Sequence, residues 1–326
     1  MDSWTPAPIS WSFSTARRFE ACRRRYFYHR FWGQFDGKVK WRLQEMRHLT
    51  TLMMLRGSVA HEVIGKALRT VQSGGDPSGR GIGLARDAVT EIIRTRFKES
   101  ATKAWHINNR PPGVKLSEIT NLFEHYYNTC SQDVLKARAR ETRDVAWGCV
   151  DNLVRSELWQ QIVSSDRALW REVEADGFPS FDLDGILVYT RVDFAHECTA
   201  PTIVDWKTGR PSGQDRRQLA LYSLYAQSKW GWDPTRTGLH AVYLWPELQV
   251  EEMAVAGEDV EALRDEVRRS YCEITSVEPA SGPAKLDDFP PAEDPRECVA
   301  CFFRAACSAA KGTNAHEDED SDQDWV

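Results

Sequence analysis

The chain has 326 residues, 41% of them hydrophobic, and carries 42 Lys and Arg against 48 Asp and Glu, a formal net charge of −6. This length and composition suffice for a large buried core, in one elaborated domain or in two. No run approaches the roughly 20 apolar residues that span a bilayer, and the N-terminus lacks the charged-then-apolar order of a signal peptide. We therefore expect a cytoplasmic protein with no membrane partner.

Basic and aromatic residues are mixed in the N-terminal segment. Residues 1–56 carry 11 Lys and Arg against four Asp and Glu, and aromatic residues lie between the arginines of 17–32. This mixture suits phosphate contacts combined with base stacking. An amphipathic helix with a solvated basic face explains it equally well.

The next part of the chain is predicted to be helical. Apolar residues between Ala60 and Val71 recur at helical spacing and indicate an amphipathic helix. A glycine-rich loop follows at 74–81. Residues 84–168 are then typical of several helices, with a break at 110–113.

Extended segments begin at Arg171. We expect strands at 171–176, 181–196 and 201–206, the second of them folded around a turn at Asp184-Gly185. Their order and spacing indicate consecutive antiparallel strands.

A crossover unit follows these strands. A helix over 214–229 leads to an apolar strand at 239–245, and the connection should be right-handed. A short pairing strand near 249–255 and a helix over 258–275 complete the region.

Two aspartates, a lysine and an amide lie close together in this region. Asp205 and Lys207 share one face of a strand about 7 Å apart, and Asp193 lies on the preceding strand. Paired carboxylates suit Mg²⁺ or Mn²⁺, and a nearby lysine can orient or help deprotonate the attacking water. Gln218 and Tyr222 share a face of the following helix and could contact the scissile strand or the lysine. The arrangement predicts a metal-dependent phosphodiester nuclease.

These motifs resemble those of the RecB-like branch of the PD-(D/E)XK nuclease superfamily, close to the Cas4 type. Asp193 corresponds to the acid of the second motif, Asp205 and Lys207 to the Asp-x-Lys motif, and Gln218 with Tyr222 to the Gln-x-x-x-Tyr motif. The resemblance implies an α/β fold with a restriction-endonuclease-like core. That core is a central mixed sheet flanked by helices, here with a large helical insertion.

The resemblance also implies a histidine ligand from an upstream helix, because the sequence from Arg56 to His61 matches the family's first motif. The chain departs from the family at Thr190, where glycine often stands three residues before the acid. Lys207 would lie at the attacking water. The implied ligands of Mg²⁺ or Mn²⁺ are His61, Asp193, Asp205 and a backbone carbonyl near Trp206.

Eight cysteines in a chain expected in the cytoplasm argue against a disulfide framework. Cys298, Cys301 and Cys307 form a compact group, and Cys22 would be a distant fourth ligand. By ligand chemistry alone, four thiolates could hold Zn²⁺ or an iron–sulfur cluster. Similarity to Cas4-like and AddB-like nucleases implies a structural [4Fe–4S] cluster that joins the N-terminal helix to the C-terminal segment.

The sequence predicts five segments. They are a basic N-terminal helix region (1–56), a helical region that carries the histidine (57–170), the nuclease core (171–280), a cysteine-cluster segment (281–312) and an acidic, disordered tail (313–326).

The leading hypothesis is a Mg²⁺- or Mn²⁺-dependent deoxyribonuclease, expected to be an exonuclease, that hydrolyses single-stranded DNA or duplex ends. The alternative is a catalytically inactive nucleic-acid-binding or assembly subunit of a DNA repair, recombination or defence complex. A third interpretation is a zinc-stapled scaffold in which Asp193 and Asp205 are surface groups. The chain has no Gly-x-x-x-x-Gly-Lys-Ser/Thr motif, so any unwinding must come from a helicase or another protein partner.

Overall fold

The structure, a computed structural model, describes residues 6–75, 80–175 and 177–310, and for residues 80–84 the backbone alone. The predicted acidic tail and part of the predicted loop at 74–81 lie outside these residues. The chain divides into two compact units, each discontinuous in sequence. Unit 1 comprises Met1–Leu52, Thr95–Ala137 and Ser270–Val326, and unit 2 comprises Met53–Arg94 and Arg138–Arg269.

The structure confirms the helices that the sequence periodicity predicts. The predicted helices over 60–71, 214–229 and 258–275 are parts of α4, α9 and α10, and the predicted break at 110–113 falls between α5 and α6. No helix in the described ranges is both long and apolar enough to cross a membrane. The helices are α1 (Phe13–Ala21), α2 (Arg23–Phe31), α3 (Gly37–Arg47), α4 (Leu52–Gln72), α5 (Arg80–Ala101), α6 (Phe123–Tyr126), α7 (Gln132–Val154), α8 (Glu157–Ser164), α9 (Gly213–Trp230), α10 (Gly257–Ser276) and α11 (Arg296–Val299).

The strands are β1 (Leu49–Thr50), β2 (Asn121–Leu122), β3 (Trp170–Val173), β4 (Ser180–Leu183), β5 (Ile186–Tyr189), β6 (Phe194–His196), β7 (Thr202–Lys207), β8 (Gly238–Tyr243) and β9 (Gln249–Met253). In unit 1, β1 and β2 pair in parallel. Unit 2 contains a five-stranded sheet in the order β3-β6-β7-β8-β9 and a separate β4-β5 hairpin. Only β7 and β8 run parallel within the larger sheet, which confirms the predicted mixed sheet and α/β fold.

The prediction of consecutive antiparallel strands over 171–206 is wrong in one respect. β3 pairs with β6, whereas β4 and β5 pair only with each other. Asp184 and Gly185 have φ of +55° and +83°, which suits a two-residue hairpin turn. Glu174 has φ of +44°, and this left-handed backbone ends β3 before the chain enters the hairpin.

The crossover from β7 through α9 to β8 places polar residues in the interior. Residues 202–206 of β7 are all buried, as expected for a strand between two sheet neighbours with both faces covered. α9 begins at a capping box made by Ser212 and Asp215 and ends before Gly231, whose φ is +73°. Asp205 is therefore a buried carboxylate between the apolar residues Val204 and Trp206 of β7.

The aromatic residues of the N-terminal segment form part of the core of unit 1. Tyr26, Phe27, Tyr28 and Phe31 of α2 are buried. Because their rings are covered, the structure favours the amphipathic-helix interpretation of this segment over base stacking by these four residues.

Candidate active site

The two predicted aspartates meet through strand pairing. Asp193 immediately precedes β6. Extending the β6–β7 register, which pairs Phe194 with Val204, by one residue puts Asp193 opposite Asp205. Both carboxylates are buried. The backbone N–H of Trp206 donates to Asp193 Oδ2 at 2.8 Å, which fixes the orientation of that carboxylate.

His61 of α4 lies against two carboxylates. Its Nδ1 is 3.1 Å from Glu174 Oε1 and 3.3 Å from Asp193 Oδ1. One potential ligand atom from each of the three residues lies within 4.8 Å of the other two, and no other His, Cys, Asp or Glu group in the described ranges meets that criterion. We call these three residues the ligand triad.

Glu174 is the triad member that the sequence interpretation missed. Glu174 follows β3 directly. The available signal in the sequence was a carboxylate at the end of a strand predicted to lie near Asp193. Its backbone N–H donates to the Asp193 carbonyl, and its own carbonyl accepts from Arg69 Nη1 at 3.2 Å. These bonds hold a left-handed conformation that costs about 1–3 kcal/mol in a non-glycine residue.

A glycine lets α4 approach Glu174. An added Cβ at Gly65 would lie 2.5 Å from Glu174 Cγ and 2.8 Å from Glu174 Cβ. Gly65 is one helical turn after His61, so the same face of α4 carries the histidine and the space for the glutamate.

Lys207 is surrounded by acceptors. Its Nζ lies 2.5 Å from Asp205 Oδ2 and donates to Gln218 Oε1 at 2.7 Å. Gln218 Nε2 donates to the Tyr222 hydroxyl at 2.5 Å. The structure therefore brings together Asp205, Lys207, Gln218 and Tyr222, and Tyr222 is also hydrogen-bonded to Asp205.

Asp215 is a second residue that the sequence interpretation missed. Its Oδ1 is 3.6 Å from Lys207 Nζ, and its Oδ2 accepts from Ser212 N–H and the Tyr243 hydroxyl, each at 2.8 Å. The sequence signal was an Asp three residues after Ser212, which is typical of a helix start and so indicated only a cap. The structure adds a contact with Lys207 to that role.

The charges of the site are strongly coupled. Burial and the charge of Asp193 raise the pKa of Asp205 to about 7. Burial opposes ionisation of Asp193 as well, but His61 and the Trp206 N–H hold its pKa below 3.8. Burial disfavours the charged form of His61, yet Asp193 and Glu174 outweigh burial and hold the pKa of His61 well above 6.5. For Lys207, Asp205 outweighs burial and raises the pKa above 10.5, so the side chain is an ammonium.

This donor set fits a divalent cation. Glu174, Asp193 and Asp205 are three buried carboxylates, and buried like charges need compensation. Carboxylate oxygens with an imidazole nitrogen suit Mn²⁺, and carboxylates suit Mg²⁺. The His61 side chain is 27% exposed, so the triad can be reached from solvent on that side.

The four predicted cluster cysteines line one pocket in unit 1. Cys22, Cys298, Cys301 and Cys307 surround it together with Arg25 and Tyr28. Cys22 is the N-cap of α2, and its Sγ accepts from Arg25 N–H at 3.4 Å. Hydrogen bonds from Arg24 to the Phe289 carbonyl and from Tyr28 to the Ala306 carbonyl also join α2 to the C-terminal segment.

Sequence comparison identifies the family. A profile of the PD-(D/E)XK nuclease superfamily matches residues 10–308. The chain belongs to the PD-(D/E)XK nuclease superfamily. Nucleases of this superfamily act on nucleic acid and use divalent metals, in agreement with the acidic, histidine-containing triad of this chain.

Two solved structures are similar to parts of this nuclease-family chain. One is a candidate exonuclease from Eubacterium rectale, with 11% identity, a TM-score of 0.41, and coverage of 95% of this chain and 90% of that chain. The other is the protein SSO0001, with 14% identity, a TM-score of 0.30, and coverage of 58% of this chain and 79% of that chain. A comparison with curated proteins finds no match. The family assignment rests on the profile match.

Proposed function

We propose that the protein is a Mg²⁺- or Mn²⁺-dependent deoxyribonuclease of the RecB-like, Cas4-like branch that hydrolyses phosphodiesters in single-stranded DNA or at duplex ends. The observation that carries this proposal is the ligand triad beside the Asp205–Lys207 pair, in a chain of the nuclease superfamily. Cleavage from an end, as an exonuclease, is the expected form.

The metal would be held by the ligand triad, with Asp205 and the Trp206 carbonyl as further ligands. When bound, it would activate water and offset the charge that develops on the phosphate. Asp193 is already oriented for this role, because its second oxygen accepts from the Trp206 N–H. Asp205 pairs with Lys207 and interacts electrostatically with Asp193 and His61, and so joins the metal ligands to the lysine.

Lys207 would act as a cation rather than as a base in the resting protein. Its ammonium lies between Asp205, Asp215 and the Gln218 side-chain oxygen, which leaves it charged. An ammonium can orient the attacking water and stabilise the anionic phosphate in the transition state. Gln218 and Tyr222 are positioning residues in this scheme, because Gln218 accepts from Lys207 and Tyr222 is hydrogen-bonded to Gln218 and to Asp205.

The four pocket cysteines would hold a [4Fe–4S] cluster. The support for this proposal is that Cys22, Cys298, Cys301 and Cys307 line one pocket, together with the resemblance to Cas4-like nucleases. By ligand chemistry alone, four thiolates could also hold Zn²⁺. The role of the cluster would be to join α2 to the C-terminal segment.

The test of the catalytic proposal is cleavage of end-labelled single strands in Mg²⁺ and in Mn²⁺ by the wild type, Asp205→Ala and Lys207→Ala. We expect metal-dependent cleavage by the wild type alone. Cleavage by both variants at the wild-type rate would refute the site assignment. Binding without cleavage by the wild type in every metal would favour the inactive-subunit alternative.

The cluster is tested separately on protein purified without oxygen. We expect brown protein with iron and acid-labile sulfide. Colourless protein with stoichiometric zinc would contradict the cluster without affecting the catalytic proposal.

A further inference from the structure

An exposed tryptophan lies at the catalytic edge of the large sheet. β7 and β8 are parallel, with Lys207 opposite Tyr243, and the Leu244 N–H donates to the Lys207 carbonyl at 2.8 Å. Trp245 is the next residue, two positions after β8 ends at Tyr243. The ring therefore belongs to the loop that leaves the sheet beside the reacting lysine.

Trp245 is held firmly although it is not covered. An added Cβ at Gly148 of α7 would lie 2.2 Å from Trp245 Cζ3 and 2.7 Å from Cε3, so the benzo part of the indole rests on the backbone of that helix. The Asn152 side-chain amide donates to the carbonyls of Leu244 and Pro246, each at 2.8 Å, and fixes the backbone on both sides of Trp245.

Other tryptophans of unit 2 have a different environment. Trp159, Trp170, Trp206 and Trp232 are buried, and the half-buried Trp147 and Trp230 each have a cation over the ring. Trp245 is 40% exposed. Within the described ranges, no aromatic ring or cation is stacked on Trp245. A large apolar ring that is anchored at one side and open to water at the other is suited to bind a flat partner.

A cation lies near the same edge of the sheet. An added Cβ at Gly57 of α4 would lie 3.5 Å from the hydroxyl of Thr208, the residue after Lys207, and Arg56 is the residue before Gly57. Arg56 Nε is buried and has no hydrogen-bond partner among the described residues. An aromatic ring and a guanidinium at the same edge of the sheet match a nucleotide, which offers a flat base and an anionic phosphate.

We propose that Trp245 stacks on one nucleobase of the DNA strand, next to the phosphodiester held at the active site. This inference rests on the proposed nuclease function and adds a substrate contact to it. Stacking suits a single strand, because its bases are free of partners and every base offers a π-face. The contact would position the strand without reading its sequence.

The experiment measures anisotropy of a fluorescein-labelled single strand in EDTA with the wild type, Trp245→Ala and Trp245→Phe. Loss of one stacked base weakens affinity about 5- to 150-fold. We expect a loss in this range for Trp245→Ala and near wild-type affinity for Trp245→Phe. Phe178→Ala is the matched control, because Phe178 is also an exposed aromatic residue of unit 2, 88% exposed, and should bind as the wild type does.

A scan with a single abasic site at each position identifies the contact. We expect one position at which the abasic site weakens binding by the wild type but not by Trp245→Ala, because the variant has already lost that stack. Equal abasic profiles for the two proteins, or equal losses for Trp245→Ala and Phe178→Ala, would overturn the inference. Because the binding assay contains no metal, it remains decisive even if the wild type fails to cleave DNA in Mn²⁺.

Discussion

Substituting Gly65 by alanine tests how closely α4 must approach the ligand triad. In an exposed helix interior, Gly→Ala ordinarily stabilises a protein by about 0.5–1 kcal/mol. Here the new Cβ would lie 2.5 Å from Glu174 Cγ, whereas carbon atoms in contact prefer about 3.5–4.0 Å. Either α4 or Glu174 must therefore move by about 1 Å.

The expected effect falls mainly on metal binding and catalysis. Overpacking of this kind costs about 1–3 kcal/mol, which the gain in helix propensity partly offsets. A displacement of about 1 Å in a catalytic group can lower the rate about 100-fold. We expect Gly65→Ala to fold, to cleave DNA about 100-fold more slowly, and to show a smaller increase in melting temperature on addition of Mn²⁺.

Gly57→Ala on the same helix is the control. Its Cβ would lie 3.5 Å from Thr208 Oγ1, an ordinary contact, so metal binding should be unchanged. The double variant Gly65→Ala, Glu174→Gly should be little worse than Glu174→Gly alone, because both clashing atoms of residue 174, Cβ and Cγ, are gone. Wild-type cleavage and Mn²⁺ stabilisation in Gly65→Ala would refute this account of the triad.

Three further predictions concern other parts of the chain. Burial, followed by the charges of Arg18 and Arg47, lowers the pKa of His29 to about 2. Below about pH 6.5 the unfolded state therefore binds a proton that the folded state does not bind. The free energy of unfolding should fall by up to about 1.4 kcal/mol per pH unit as the pH decreases. Urea unfolding between pH 7 and pH 5 should show a shallower fall for His29→Asn, and equal slopes would contradict the prediction. Tyr243→Phe removes the hydroxyl that donates to Asp215, and should lower the free energy of unfolding in urea by about 1.5–3 kcal/mol and slow cleavage. An unchanged free energy of unfolding would show that this hydrogen bond does not contribute to stability. Cys22→Ser should lose iron and melt at a lower temperature, whereas Cys272→Ser, at an exposed cysteine, should keep both properties; iron retention by Cys22→Ser would exclude Cys22 as a ligand.

The sequence was informative wherever local periodicity determines the structure. Helical spacing located α4, α9 and α10, and strand alternation placed Asp205 and Lys207 on one face, where the structure pairs them. The four-residue spacing of Gln218 and Tyr222 likewise predicted a shared helix face, and their side chains are hydrogen-bonded.

Glu174 and Asp215 escaped prediction because their roles depend on contacts distant in sequence. Glu174 points to His61 only because a left-handed backbone ends β3 and the hairpin leaves the sheet, so that β3 pairs with β6. Asp215 looks like a helix cap in the sequence, and its contact with Lys207 depends on how α9 packs on β7. Neither arrangement has a periodic signature.

The rate of DNA cleavage by Asp193→Asn in saturating Mn²⁺ tests the central claim most directly. Asparagine can still accept from the Trp206 N–H, so the fold should persist, but the charge beside His61 is lost. Removal of partners that only support metal ligands costs about 10- to 100-fold, and removal of a ligand should cost at least as much. We expect the wild type to cleave and Asp193→Asn to be slower by about 100-fold or more. Equal rates for the two proteins would contradict a catalytic metal at the ligand triad.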